Sequence, residues 1–173
     1  QAKLPAAFAR SDADLPHPAI FGSDQRPTPP TPPPGGVTAP PQRFQMKPFD
    51  IDYTEGLKVG YKWFQAENKK PLFAFGHGLS YTSFAYSDLT ATIDSVSFKV
   101  RNTGKRAGAE IAQVYASLPA SANEPPKRLV AWEKVLLSPG EAKLVTLKLE
   151  AKLLSTFNEE KDDWELLSGD YRI

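Results

Sequence analysis

The 173-residue sequence predicts a mainly β fold, a two-sheet sandwich preceded by an extended proline-rich arm. Three observations carry that reading. Short segments of alternating apolar and polar residues recur after residue 80, with turn-forming clusters between them. Prolines crowd the other end, twelve of the 17 lying before residue 49. Hydrophobic residues make up 40% of the chain, enough for one core, and no apolar run approaches a membrane-spanning length.

Taken in order, residues 1–48 read as the arm and 49–173 as the mostly folded part. Pro27 to Pro34 is PTPPTPPP, which favours extended polyproline II at about 3.1 Å per residue and cannot supply a hydrogen-bonded ladder. It reads as a spacer or surface strap ahead of a ligand for a proline-recognising domain. Val96, Phe98 and Val100 alternate with Ser95, Ser97, Lys99 and Arg101, the pattern of a half-buried strand that stops at the turn cluster Asn102-Thr103-Gly104. Ile111 to Leu118 is apolar on both faces, as a central strand would be. Arg128 to Leu137 and Lys143 to Glu150 flank Ser138-Pro139-Gly140-Glu141, where Pro then Gly suits a type II turn. In the second of these, Val145, Leu147 and Leu149 should point inward. Trp164, Leu166 and Tyr171 supply a final strand region. Short strands with turns between them indicate an immunoglobulin-like or fibronectin-like sandwich. Gly169 to Ile173 reads as the middle of a strand, so a sandwich lacking its last strand, with an unpaired edge, is expected.

Composition excludes several functions. The formal net charge is +1, from 21 basic and 20 acidic residues, which leaves no electrostatic footprint for nucleic acid or an anionic membrane. No cysteine is present, so disulfides, thiol catalysis and cysteine-ligated metal are excluded for this chain. The opening Gln1-Ala2-Lys3-Leu4-Pro5 does not read as a secretory leader, and no Asn-x-Ser/Thr acceptor occurs.

The candidate chemistry is thin. His17 and His77 are the only histidines and lie 60 positions apart, so no multi-histidine metal site arises from them. His77 sits in "PLFAFGHGLSYTSF", where it could donate to a sugar; the plainer reading is structural, its ring bonding a nearby carbonyl while the glycines allow a tight bend. Gly76-x-Gly78 is no dinucleotide fingerprint, because Tyr81 stands where a third glycine belongs. Asp50 and Asp52 would share one face of a strand, but glycosidase carboxylates straddle a pocket and come from separate elements. Glu159, Glu160, Asp162 and Asp163 read as a solvated turn. Trp63, Trp132 and Trp164 could stack on sugar rings, although a buried core role is commoner for tryptophan. No nucleophile, base and orienting partner assemble.

Longer motifs say more. "EGLKVGYKWF" and "KKPLFAFGHGLSYTSFAYSDL" resemble the C-terminal segment of glycoside hydrolase family 3 β-glucosidases. "NTGKRAGAEIAQVYAS", "PPKRLVAWEKVLLSPGEAKLVTLKL" and "LSTFNEEKDDWELLSGDYRI" resemble the fibronectin type III-like domain that follows it, and "KLPAAFARSDADLPHP" the segment closing the family's α/β sandwich domain. Nearly the whole chain is covered except the proline-rich insert. Ala74 stands where the family commonly has Pro, and Ala6, Ala7 and Ala9 replace bulkier residues; both are changes on the scale of packing.

The resemblance implies a layout. Residues 1–26 would close an α/β sandwich domain, 27–48 form the linker or strap, and 49–70 hold that domain's last strand, at Leu57 to Phe64. Residues 71–83 would form a domain joint, and 84–173 the fibronectin type III-like domain. Phe73, Phe75, Gly76, His77, Gly78 and Tyr81 are the structural joint residues, with Phe84 helping to anchor the crossing. The implied function is that of a retaining, exo-acting β-glucosidase acting on terminal β-D-glucosyl residues, with this portion bracing the catalytic domains. A non-catalytic carbohydrate- or protein-binding sandwich is the alternative. The family's nucleophilic Asp lies on a barrel domain and its acid/base Glu earlier in the α/β sandwich domain, about 5–5.5 Å apart for retention. No residue here matches either, so none is assigned a catalytic, substrate-binding or metal role. No cofactor is implied. The expected partners are the barrel and α/β portion of the same enzyme and a β-linked oligosaccharide, with a homo-oligomer as a further option. The expected location is periplasmic or secreted, in a bacterium. The loop Leu118 to Lys127 is a candidate for reaching the barrel mouth.

Because PTPPTPPP forms neither ladder nor core, replacing Pro27–Pro34 by a Gly/Ser linker of equal length should leave activity of the complete enzyme within a few-fold. A collapse of activity with the melting temperature kept would show that the strap shapes the active site.

Overall fold

The computed structural model describes residues 3–25 and 47–173, so the reading of PTPPTPPP falls outside the described residues. Seven strands follow a short helix: α1 (Tyr61–Ala66), β1 (Phe84–Ala91), β2 (Ser95–Asn102), β3 (Gly108–Ala116), β4 (Arg128–Leu137), β5 (Ala142–Lys148), a helical turn α2 (Ala151–Leu154), β6 (Thr156–Asn158) and β7 (Asp163–Glu165). One sheet has the order β1-β2-β5, a second pairs β3 with β4, and β6 with β7 forms a small hairpin; every pairing is antiparallel. This is the mainly β sandwich that the alternating segments predicted.

The core lies between the two larger sheets. Val96, Phe98 and Val100 of β2 are buried with Val145 and Leu149, and they meet Ala112, Val114 and Ala116 of β3 and Val130, Val135 and Leu137 of β4. The period of two along a pleated strand places these side chains on one face each. A register shift between Val114 and Tyr115 leaves Val130 as the extra residue of β4, so Val130 and Ala131 are both buried. At the β4–β5 turn Gly140 has φ +76° and the Glu141 amide donates to the Ser138 carbonyl at 3.1 Å, which requires glycine at the third position.

Asn102, at the end of β2, is fully buried and polar. Its Nδ2 donates to the carbonyls of Arg106 (2.8 Å) and Leu137 (3.0 Å), and its Oδ1 accepts from Thr82 Oγ1 (2.6 Å) and the Gly104 amide (3.0 Å). All four of its side-chain hydrogen-bonding positions are thus taken. Gly104 packs so close that a Cβ there would collide with Thr82 Oγ1.

Several expectations need correction. Leu57 to Phe64 is not a strand: Gly56 and Gly60 turn with positive φ, and α1 begins at Tyr61. Residues 49–70 therefore hold a helix where a last strand was expected. Asp50 and Asp52 lie in exposed irregular chain, so they share no strand face. Trp132 and Trp164 are exposed, at 63% and 44%, and are not core residues. The final strand region is reduced to β7, and near the end only Arg172 pairs, in a bridge to Ser117.

Asn102→Ala should destabilise the chain by roughly 3 kcal/mol, since it orphans the buried Leu137 carbonyl together with the Arg106 carbonyl and the Gly104 amide and leaves a void. Urea denaturation followed by tryptophan fluorescence measures it; a midpoint unchanged from the parent would remove Asn102 from this role.

Candidate functional site

The arm pairs through its backbone with residues 72–77, and α1 meets the sandwich through a few directed polar contacts. Phe8 pairs with Phe73 in an antiparallel bridge, with the Phe8 amide donating to the Phe73 carbonyl at 2.8 Å. The Leu4 amide donates to the His77 carbonyl and the Gly76 amide to the Leu4 carbonyl, both at 2.8 Å. Gly76 has φ +77°, which favours glycine at this bend, and a Cβ there would sit 2.6 Å from Gln113 Oε1 on β3, a side-chain end that would have to move. Gly78 has no positive φ and does not share that duty. Among the described residues the His77 ring makes no hydrogen bond; it packs on Phe73 with centroids 5.2 Å apart, and the bonding group is the His77 carbonyl.

Helix α1 is only partly held by burial, with Phe64 its one buried side chain. Tyr61 does more. Its hydroxyl accepts the Leu129 amide of β4 at 2.8 Å, and its ring lies against Phe75 (5.1 Å) and Tyr115 of β3 (5.7 Å). Burial raises the Tyr61 phenol above its ordinary pKa, so it remains neutral in that role. On the far side, the Trp63 indole donates to the Asp14 carbonyl at 2.7 Å, with the ammonium groups of Lys58 and Lys69 within 6.0 and 5.4 Å of its ring.

Beside Tyr61, Lys62 approaches Glu124 at 3.8 Å, and Glu124 pairs with Arg128. The Arg128 guanidinium also donates to the carbonyls of Ser155 (2.9 Å) and Leu153 (3.2 Å), while its Nε is buried without a partner among the described residues. Burial is the main cause that lowers the Lys62 pKa, with the Glu124 charge opposing it. One charged cluster therefore joins α1, the Leu118 to Lys127 loop, β4 and the end of α2. This cluster was missed from the sequence, where Glu124 and Arg128 were given no role. Their i, i+4 spacing is the only local signal.

A second contact closes the arm on itself. His17 Nε2 and Glu55 Oε2 are 2.7 Å apart, and the imidazole lies against Phe21 (4.8 Å) and Tyr53 (6.3 Å). The Glu55 carboxyl is held below its ordinary range, first by its own backbone hydrogen bond and then by His17. Among the described residues no three His, Asp or Glu side chains converge as a metal site. The buried carboxylate Glu124 is committed to Arg128 and Lys62 rather than facing a second carboxylate across a cleft.

The chain ahead of the sandwich also carries much unpaired apolar surface. Among the described residues thirteen large apolar side chains before residue 82 are exposed, Leu79 at 86% and Tyr81 at 82%. Phe73 is 43% exposed. Single exposed apolar residues are ordinary, but this density ahead of the sandwich is not.

Residues 110–173 match the fibronectin type III-like domain. The chain is 43% identical over 132 residues to thermostable β-glucosidase B of Acetivibrio thermocellus, covering 71% of this chain and 18% of that protein. With β-glucosidase B of Emericella nidulans it shares 36% identity over 180 residues, covering 99% of this chain and 20% of the relative. The chain belongs to the family 3 β-glucosidases, as a C-terminal portion. Among solved structures, the β-glucosidase DesR of Streptomyces venezuelae, in complex with D-glucose, is 44% identical with a TM-score of 0.65 over 69% of this chain and 16% of that one. The β-D-glucoside glucohydrolase of Trichoderma reesei matches 99% of this portion and 24% of its own chain, at 26% identity and a TM-score of 0.77. This portion spans about a fifth of the length of the curated relatives it matches.

Arg128→Met should destabilise this portion by roughly 3–5 kcal/mol, because it leaves Glu124 buried with only a distant lysine and orphans two carbonyls. A double variant with Glu124→Gln should recover part of the loss. Chemical denaturation of the two variants checks this; equal stabilities for the double and single variants would show that the charge left behind is not the cause.

Proposed function

We propose that this chain serves a retaining, exo-acting β-glucosidase that releases terminal β-D-glucosyl residues from oligosaccharides or glucosides, and that this portion braces the catalytic domains. The exposed apolar surface ahead of the sandwich, from Phe8 to Tyr81, carries the bracing role, since a second body would cover it. The activity itself is supported by the relatives, whose names are those of β-glucosidases. Its partners are then the barrel and α/β portions of the same polypeptide, where two carboxyls about 5–5.5 Å apart would act as nucleophile and acid/base.

A binding module is the second reading. Phe157 and Trp164 stand exposed on the β6–β7 hairpin, T-stacked at 5.7 Å, with the Lys152 ammonium 5.0 Å from the Trp164 ring. Such a pair suits stacking on a sugar ring. The first reading is preferred because it accounts for the arm, which a self-contained sandwich would not require.

The isolated 173-residue chain should show no hydrolysis of an aryl β-glucoside, while the complete enzyme turns it over. Turnover by the pure chain that disappears on Asp50→Ala would overturn this. Intact-mass analysis of the purified enzyme under denaturing conditions shows whether the catalytic portion is on the same polypeptide.

In the complete enzyme, Phe73→Ala should cost about 3 kcal/mol of stability if the catalytic body covers that ring, against well under half of that in the isolated chain. His77→Ala, which removes the ring packed on Phe73, should lower the melting temperature with KM scarcely changed. A stable His77→Ala enzyme whose kcat/KM falls about tenfold would place His77 on the sugar instead.

A further inference from the structure

Helix α1 does not close fully on the sandwich. Between it, Phe75 and Tyr115 of β3 lies a pocket of about 560 Å³, within the roughly 300–1,000 Å³ that small-molecule sites occupy. One wall is aromatic. Tyr61, Phe75 and Tyr115 form a packed trio, with Tyr61 against both of the others, and all three are half-buried.

The rim is polar and uncommitted. Gln65 is exposed near the end of α1, and Asn68, two residues past that end, is exposed with φ +49°. Both line the pocket, and among the described residues neither side-chain amide has a hydrogen-bond partner. No Asp or Glu lines it, so a cationic ligand would meet no counter-charge. Its two lysines are engaged already. Lys69 Nζ donates to the Ala13 carbonyl at 3.2 Å, and the Lys127 ammonium lies 5.1 Å from the Tyr115 ring. An anionic ligand would therefore have to draw a lysine from its present partner. Amides beside aromatic rings suit a neutral polyhydroxylated ring instead. An amide offers a donor and an acceptor to neighbouring hydroxyls, while the C–H face of the sugar packs on the aromatic wall.

We propose that this pocket binds a single neutral pyranose, with Gln65 and Asn68 holding its hydroxyls and the Tyr61, Phe75 and Tyr115 wall taking its apolar face. That the sugar is glucose rests on the β-glucosidase reading above, which supplies it as product. The site and its ligand class rest on the geometry alone. The β6–β7 hairpin offers rings for stacking but no such amide, because Asn158 Nδ2 donates to Glu165 at 2.8 Å and its Oδ1 accepts the Glu160 and Lys161 amides. A sugar in the pocket would touch α1 and β3 together, adding a contact to a helix that buries one side chain.

The test is a titration of the ¹⁵N-labelled 173-residue chain with D-glucose, up to about 100 mM, followed by amide chemical shifts. Saturable shifts should be confined to residues 61–69, 75 and 113–117. The double variant Gln65→Ala, Asn68→Gly removes both amides while keeping a helix former at 65 and a residue that accepts positive φ at 68. It should weaken binding by about tenfold or more with the melting temperature kept. No shift at the highest glucose concentration overturns the site, as does full affinity in the double variant. Equal shifts with sorbitol, an open-chain polyol, would show that no ring is recognised and overturn it too. Shifts centred on Phe157 and Trp164 would give the sugar to the hairpin instead. In the complete enzyme, glucose should slow hydrogen exchange along residues 61–69. Exchange there that is already slow and unchanged by glucose would show the pocket filled by the catalytic body, against the proposal. Activity on glucosides enters none of these readings. An enzyme that cleaves glucosides but fails them loses the site alone, and a chain that binds glucose while the complete enzyme ignores glucosides loses only the proposed function.

Discussion

One buried amide organises this sandwich. Asn102 ends β2, yet its side chain bonds Thr82 ahead of β1, the Gly104–Arg106 turn and the last carbonyl of β4. Its own backbone amide and carbonyl bond Glu141 and Gly140 in the β4–β5 turn. Hydrophobic burial between the sheets is larger in total, but it is non-directional and tolerates sliding. The amide is not tolerant, since a shift of either sheet would orphan several buried groups at once. It therefore sets where the two sheets register, and with Thr82 it sets where the chain enters the sandwich from the arm.

The arm hangs from that entry point by a different kind of contact. Helix α1 buries a single side chain and is too short to hold its own shape in water. What holds it is a set of long-range polar bonds, Tyr61 to the Leu129 amide, Trp63 to the Asp14 carbonyl and Lys62 to Glu124. Directed bonds of this kind determine orientation more than stability. They hold α1 and the chain beside it at one attitude to the sandwich.

The sequence disclosed the core because a pleated strand writes its burial directly into alternate residues. Val96, Phe98 and Val100, and Val145 and Leu149, were legible for that reason, as was the Pro139-Gly140 turn. The same rule misled at residues 57–64. Leu57, Val59, Tyr61 and Trp63 alternate with Lys58, Gly60 and Lys62, which is a strand pattern, yet Gly60 takes φ +59° and a helix follows. The deciding forces there are the Tyr61 and Trp63 bonds to residues 68 and 49 positions away, which no local window contains. Trp132 was misjudged by residue type, although alternation from Val135 and Leu137 already pointed it outward. The Asn102 and Arg128 clusters were illegible because a polar residue's partners depend on the finished fold.

Arg128 shows how far the joint favours geometry over energy. Burying a guanidinium and a carboxylate costs several kcal/mol per ion, and their mutual attraction offsets this only when every remaining donor is satisfied. Here Nε is left without a partner, so an apolar pair of similar volume would hold the fold at least as well. What an apolar pair would lack is direction. The guanidinium fork reaches Glu124, Leu153 and Ser155 together, and through Glu124 it reaches Lys62 on α1. The Leu118 to Lys127 loop is thus clamped between the sandwich and the arm at Glu124, close to its C-terminal end. Its position therefore follows that of α1, through the contact between Glu124 and Lys62.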